Sequence, residues 1–367
     1  MKQLIPKIPT IAITGSAGKT TTKEMISSIL ETKFKIFKSK RNRNFVRCTK
    51  NHAKMIKPWH QAVVLEFGMG KGNTGKMHCS YIQPNIGIIT NVGSAHFGMF
   101  GNNIILTAKA KSELIKYMKP EGILYINNDD VNSKLLQTKD FKGKIFSVGI
   151  KNNSDYQAVN IKYLAQGMSF QVKLYNKSEV FFIPSFGRHN VINALFAIAV
   201  CHYLKLPPSK MKSGLKKYKI PVRRINRYEL PNGLVIIDDS YSANPEATKA
   251  AIDVLVELGK NQKKVVIIGS MLELGKYTVK GHMKVGKYLA RNKVDKILTF
   301  GNEARCIKKG AIKAGFTASN ILLFRNRDKM HAGLQKLIEP NTVILLKGSK
   351  LMEMHKTLDY LLSVFSK

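Results

Sequence analysis

Near the start of the chain, the nine residues Thr14-Gly15-Ser16-Ala17-Gly18-Lys19-Thr20-Thr21-Thr22 combine two glycines, one lysine and five hydroxyl side chains. Glycine lets successive backbone N–H groups converge on one point, and a helix starting there adds its own unpaired N–H groups. Together these hold phosphate oxygens. Lys19 is spaced to reach the outer phosphates of a nucleotide, and the Thr20 hydroxyl to face a divalent cation. The run is shorter than the standard G-x-x-x-x-G-K-[ST] loop, with Ile13 where the first glycine belongs. A chance glycine turn is the plainer reading, and the coincidence of strand, Gly-Lys-Thr and helix weighs against it.

Other residue types have chemistry to offer. Glu66 closes the apolar run A-V-V-L-E, at the strand end where α/β sheets place their ligands. A carboxylate there holds a metal, or is simply solvated. His96 follows a second such end at Asn91 and, taken alone, reads as structural. Asn190 and Asn193 share one helical face and so present two amides to one ligand, unless Asn190 is an N-terminal cap. Arg224 carries the planar bidentate donor that suits a terminal phosphate, and Asp239 ends a strand in the second half of the chain. There is no convincing nucleophilic triad.

The elements that must position these groups alternate. Thr10–Thr14 reads as a buried strand and Lys19–Leu30 as a helix with apolar residues Met25, Ile26, Ile29 and Leu30. Strands are predicted at Ala62–Phe67, Ile86–Asn91, Gly122–Asn127 and Ile145–Val148, with a helix over Ile104–Met118. From Tyr156 to Phe186 the pattern becomes short and alternating, an antiparallel insertion, before a helix at His189–Leu206. The basic stretch Lys216–Arg224, with Pro221, reads as a linker. Strands then recur at Leu234–Asp238, Val265–Gly269, Lys296–Phe300, Ile321–Phe324 and Val343–Leu346, with helices from about Pro245, Thr278, Ala304, Met330 and Met352. The expected fold is α/β: a mostly parallel P-loop-type domain over 1–220, then a Rossmann-like domain over 221–367.

Composition sets limits. Four scattered cysteines, Cys48, Cys79, Cys201 and Cys306, form neither a metal knuckle nor a disulfide framework. No apolar run is long enough to span a membrane and no secretory signal opens the chain, so a soluble cytoplasmic protein is expected. The 61 Lys and Arg against 23 Asp and Glu give a net charge of +38, which favours a polyanionic substrate or surface. The lysines are spread along the chain without an aromatic-interleaved basic helix, which argues against specific nucleic-acid recognition.

The phosphate-loop segment T-G-S-A-G-K-T-T-T resembles the ATP loop of the Mur ligases, and seven further strings match that family in the same order. They are L-E-F-G-M-G (Leu65 to Gly70), T-N-V-G-S-A-H (Thr90 to His96), A-K-S-E-L (Ala110 to Leu114), G-R-H-N-V-I-N-A-L (Gly187 to Leu195), D-D-S-Y-S-A-N-P (Asp238 to Pro245), G-S-M-L-E-L-G (Gly269 to Gly275) and L-K-G-S-K (Leu346 to Lys350). The resemblance implies ATP-dependent joining of a carboxylate to an amine through an acyl phosphate. It implies ATP held by Gly15, Ser16, Ala17, Gly18, Lys19, Thr20 and Thr21, with Asn190 and Asn193 at the adenine, and Arg224 and Asp239 approaching from the second domain. It implies two Mg²⁺ ions on Thr20, Glu66, His96 and Lys111, with Lys111 carbamoylated by CO₂. Lys19, Glu66, His96, Lys111 and Arg224 become the catalytic set, and Asn91, Asn244, Pro245, Lys347 and Ser349 the substrate contacts. Sequence alone makes Lys111 one more surface lysine and the last four ordinary capping and turn residues.

Three departures bear on the substrate. The resemblance begins a dozen residues from Met1, without the domain that grips UDP in the family, so a separate UDP-binding subunit is one expected partner. Ser270 stands where the family has an aspartate. The family's G-N-x-N-N segment reads Arg41-Asn42-Arg43-Asn44-Phe45. The last two point to an altered, more anionic acid, such as a poly-γ-glutamate-type chain, as the alternative to a muramoyl tripeptide. A non-enzymatic nucleotide-binding derivative is the third reading.

Overall fold

The run T-I-A-I-T is buried along its whole length, because strands enclosed on both faces by helices have no solvated side to fill with polar residues. This holds throughout the core of the computed structural model, which describes residues 3–366. The chain separates into two units, Met1–Gly93 with Met99–Pro221, and Ser94–Gly98 with Val222–Lys367.

In chain order the first unit runs β1 (Thr10–Thr14), α1 (Lys19–Leu30), β2 (Ile36–Lys38), α2 (Val46–Met55), β3 (Ala62–Glu66), α3 (Thr74–Tyr81), β4 (Ile86–Ile89) and α4 (Ile104–Tyr117). It continues through β5 (Ile123–Asn127), β6 (Lys144–Gly149), β7 (Tyr156–Leu164), β8 (Gly167–Leu174), β9 (Lys177–Ile183), α5 (Arg188–Tyr203) and α6 (Pro208–Lys217). The sheet order is β2-β3-β1-β4-β5-β6-β7-β8-β9, parallel from β2 to β7 and antiparallel beyond. The register pairs Ile13 with both Glu66 and Ile88. The carboxyl ends of β1, β3 and β4 therefore finish together. The loop after β1, Glu66 and the residues after β4 meet at that edge.

The second unit runs β10 (Asn226–Leu230), β11 (Leu234–Asp239), α7 (Pro245–Leu258), β12 (Lys263–Gly269), α8 (Thr278–Arg291), β13 (Lys296–Phe300), α9 (Arg305–Ile312), β14 (Ile321–Phe324), α10 (Arg327–Leu337), β15 (Thr342–Lys347) and α11 (His355–Phe365). Its sheet order is β10-β11-β15-β12-β13-β14, with β10 antiparallel to β11 and the rest parallel. Among the described residues no helix is long and apolar enough to cross a membrane.

Several elements differ from their sequence reading. The alternating segment is antiparallel as expected, and it also carries the main sheet onward, since β7 pairs in parallel with β6. The linker is shorter than expected: α6 runs to Lys217 because Met211, Gly214 and Leu215 form a buried stripe within the basic composition. The short β2, and the polar helices α2 and α3, gave no clear apolar period. Residues Ser94–Gly98, between strands and helices of the first unit, fold with the second.

Candidate active site

Helix α1 starts at a left-handed Gly18 (φ 82°) with no side-chain cap and no acidic residue in its first turn. Its opening N–H groups thus point out of the helix end toward an anion, aided by the helix dipole. Two glycines are required here. A Cβ on Gly15 (φ +145°) would lie 1.9 Å from Thr90 Oγ1, and one on Gly18 2.6 Å from Asn193 Oδ1. The loop is fastened to the residues after β4: Asn91 Oδ1 accepts from the N–H groups of Ser16 (3.0 Å) and Ala17 (2.9 Å). Thr90 Oγ1 donates to Ala17 O, and Ser16 Oγ donates to Gly93 O at 2.9 Å. Lys19 Nζ donates to Gly15 O at 2.8 Å, arching over the loop. Asn91, expected at a substrate, is thus a shaper of the phosphate loop. Of the loop residues Gly15 to Thr21, Ser16 and Ala17 turn their N–H groups to Asn91, while the helix start is aimed outward.

Beside that helix start, Thr20 Oγ1 donates to Glu66 Oε2 at 2.8 Å. Glu66 is only 2 % exposed; its other oxygen accepts from Asn44 Nδ2 at 2.7 Å and its N–H donates to Ser39 Oγ at 3.1 Å. Among the described residues no three His, Cys, Asp or Glu side chains group to hold a metal. A hydroxyl and a carboxylate at a phosphate-binding helix end are nevertheless the hard oxygen donors that fit magnesium, which takes one or two carboxylates and completes its shell with phosphate and water.

Lys111 projects from α4 into the first unit and is 3 % exposed. Its ammonium lies 5.8 Å from the centre of the Phe100 ring. Burial first, then the Lys19 charge, push its ammonium down to about 7 against the pull of Asp130. Asp130 itself accepts from Val92 N–H at 2.8 Å, next to Asn91.

Asn190 and Asn193 are both buried and share one chain of hydrogen bonds. Thr22 Oγ1 donates to Asn193 Oδ1 (3.1 Å), Asn193 Nδ2 to Asn190 Oδ1 (3.0 Å), and Asn190 Nδ2 to Ser185 Oγ and Phe186 O. They bind α5 to the start of α1 behind Gly18. Gly187, not Asn190, occupies the N-cap of α5.

The remaining expected residues lie in the second unit. His96, in the left-handed region (φ 55°) and exposed, is paired through Nδ1 with Glu273. Its neighbours are fixed too: Ser94 Oγ donates to Glu246 Oε2, Gly98 N–H to Glu273 O, and Phe97 packs on Tyr277. Arg224 lies between two left-handed residues, Arg223 (φ 62°) and Ile225 (φ 56°), with its guanidinium 4.4 Å over the Tyr241 ring. A β-branched residue there is strained, and such strain is kept where it serves a site. Asp239 pairs with Lys347, whose buried ammonium lies 2.6 Å from Asp239 Oδ2 and also donates to Ser242 O and Asp239 O. Asn244 caps α7 by accepting from Ala247 N–H, Pro245 opens that helix, and Ser349 Oγ accepts from Leu272 N–H.

Ser270 corrects one inference. It is fully buried, accepts from Ala304 N–H and gives its carbonyl to Ser349 N–H. It faces the interior of its unit, so its departure from the family says nothing about an exposed substrate surface. Sequence reasoning also missed Asn44, Thr90, Asp130, Glu273 and Tyr241. Thr90, Tyr241 and Glu273 lie within the matched strings and Asn44 is the last asparagine of the altered G-N-x-N-N segment, whereas Asp130 lies in none of them.

Comparison with known proteins gives a consistent outcome. Residues 13–201 match the Mur ligase middle domain, and residues 223–350 the Mur ligase, glutamate ligase domain. The UDP-N-acetylmuramoyl-tripeptide–D-alanyl-D-alanine ligase of Bacillus subtilis is 31% identical over 355 residues, which is 94% of this chain and 74% of that protein. MurF from Acinetobacter baumannii superposes with a TM-score of 0.85 at 29% identity, over 97% of this chain and 77% of that one. The Thermotoga maritima MurF ligase in complex with ADP gives a TM-score of 0.84 at 23% identity, over 96% of this chain and 79% of that one, a likeness of fold.

The Lys111 environment has a consequence for stability. The folded protein holds this amine at about 7 and the unfolded chain at 10.5, so between those values the unfolded state binds the extra proton and stability rises with pH. Urea titrations in CO₂-free buffer from about pH 7 to about 9 are expected to show that rise in the wild type and a flatter profile in Lys111→Met. Parallel profiles contradict the assignment.

Proposed function

We propose, for a chain that belongs to the Mur ligase family, that it joins the carboxylate of a peptidyl acid to the amine of D-alanyl-D-alanine at the expense of ATP. The acid and amine are those for which its relatives are named, and these relatives are ATP-dependent amide-forming ligases. The observation that carries the reading is the Thr20–Glu66 pair at the uncapped start of α1, with Lys19 in the same loop.

The chemistry follows from those positions. The acid's carboxylate oxygen bonds to the γ-phosphorus as the bond to ADP breaks, giving an acyl phosphate. The amine then attacks the acyl carbon, phosphate leaves with the bonding electrons, and the amine's proton passes to solvent. Such transfer needs placement and neutralised charge more than covalent help. The α1 N–H groups and Lys19 supply donors and positive charge where negative charge accumulates. Thr20 and Glu66 would hold magnesium, which when bound screens the phosphates from the approaching carboxylate.

Lys111 fits conversion to a carbamate. The amine is enclosed, its protonated form is disfavoured, and the reaction forms an N–C bond to CO₂ with release of a proton. The product is an anion beside the Lys19 charge that disfavours the cation. Arg224 is retained as a phosphate donor because its guanidinium is held against Tyr241 by a strained turn. His96 is retained as a metal ligand, with Glu273 fixing its ring. Asp239 and Lys347 neutralise each other within one unit, so they support the site by holding the β11 and β15 ends rather than by free charge. A second reading, an acyl substrate with several carboxylates, is favoured by exposed Arg41, Arg43 and Arg47 around Asn44 and by the +38 charge.

Purified protein supplied with ATP, Mg²⁺, UDP-linked muramoyl tripeptide and D-alanyl-D-alanine is expected to release ADP only when all four are present, and Lys19→Met to lower the rate about 100-fold or more. Release with poly-γ-glutamate in place of the tripeptide selects the second reading; no release with either acid contradicts the ligase assignment. Lys111→Ala is expected to abolish turnover and to regain part of it with added short-chain carboxylate. An intact fold without rescue removes the carbamate.

A further inference from the structure

Lys23 is the one α1 lysine that the proposed chemistry leaves unused, and its side chain has no solvent exposure. Burying an ammonium is costly unless every donor is paired. All three donors are taken: Nζ lies 2.6 Å from Ser39 O, 2.5 Å from Arg41 O and 2.8 Å from Glu24 Oε1. Two backbone carbonyls two residues apart converge on one cation, and Arg41, which supplies the second, takes a left-handed conformation (φ 52°).

The segment so gripped is the one that encloses Glu66. At one end Ser39 Oγ accepts from Glu66 N–H, and at the other Asn44 Nδ2 donates to Glu66 Oε1 while Asn44 O accepts from Gly68 N–H at 2.8 Å. Lys23 lies three residues after Thr20, the spacing of neighbours on one helical face, and Thr20 donates to the other Glu66 oxygen. One helix therefore addresses Glu66 twice, directly through Thr20 and indirectly through Lys23 and the 39–44 segment.

We propose that Lys23 is a positioning residue of the metal site: its ammonium clamps the 39–44 segment to α1 so that Ser39 holds the Glu66 backbone and Asn44 holds its carboxylate toward Thr20. This rests on the nucleotide–metal reading of that site. Without the ammonium, Ser39 O and Arg41 O lose their shared partner, the segment relaxes, and Asn44 no longer fixes the carboxylate. Groups that orient metal ligands in this way commonly change metal affinity 10–100-fold when removed.

The test compares wild type, Lys23→Met, Asn44→Ala and the double variant, using Mn²⁺ with a non-hydrolysable ATP analogue and free Mn²⁺ read by electron paramagnetic resonance. Nucleotide binding in EDTA and the melting temperature serve as readouts of loop and fold. Lys23→Met is expected to weaken Mn²⁺ binding about ten-fold or more with metal-free nucleotide binding unchanged. The double variant is expected to be no weaker than the worse single one, because both act on Glu66 through the same segment. If Lys23→Met does not fold, Lys23→Gln, which keeps two N–H donors, is expected to show a smaller loss of the same kind. Wild-type Mn²⁺ affinity in the folded variant, or additive losses in the double variant, overturn the clamp. Failure of the wild type to bind the analogue overturns the nucleotide reading and the clamp with it.

Discussion

The hydrogen bond from Thr20 to Glu66 joins the first turn of a helix to the last residue of a parallel strand, and much of the first unit exists to make that meeting possible. Glu66 is buried, so its charge must be balanced by donors, and the chain supplies two, Thr20 and Asn44, while Ser39 Oγ accepts from its backbone N–H. The parallel register of β1 with β3 and β4 sets the spacing, because it ends all three strands together at the edge where the glycine loop turns. A loop without Gly15 and Gly18 would collide with Thr90 and Asn193 and displace Thr20 from its partner.

Buried polar groups recur around this edge, and several are tied into chains. Thr22, Asn193 and Asn190 run from α1 into α5; Asn91, Thr90 and Gly93 fasten the loop from the other side. Buried hydrogen-bond networks rigidify a site only when fully satisfied. Lys111 stands apart, a buried amine 5.8 Å from the Phe100 ring, whose proton affinity is lowered by burial and then by the Lys19 charge. The same logic appears independently in the second unit, where Lys347 is fully engaged by Asp239 and Ser242.

What was legible in the sequence was periodicity and motif. The apolar strands and their alternation with helices gave the α/β class and the two-part organisation, and Gly-Lys-Thr after a strand gave the phosphate loop. What was not legible was anything settled by tertiary contact. The three-residue β2 and the polar α2 carry no period, yet they deliver Asn44 to Glu66. Asn91 was a substrate contact by resemblance, and only the fold shows its amide oxygen accepting from Ser16 and Ala17. Ser270 looked like a change of surface chemistry until its burial showed otherwise. Lys23 looked like any helical lysine in a lysine-rich chain, since composition conceals which of many cations has lost its solvent. The grouping of Ser94–Gly98 with the second unit is likewise invisible in local pattern, because it depends on Glu246 and Glu273, far along the chain.

A crystal structure with Mg²⁺ and a non-hydrolysable ATP analogue tests the central claim most directly. The expected result is a metal ion that replaces the Thr20–Glu66 hydrogen bond, coordinated by Thr20 Oγ1, with the phosphates over the start of α1 and Glu66 oriented toward the ion by Asn44. A nucleotide bound away from Gly15–Thr21, or a Thr20–Glu66 hydrogen bond left intact with the metal elsewhere, would contradict it.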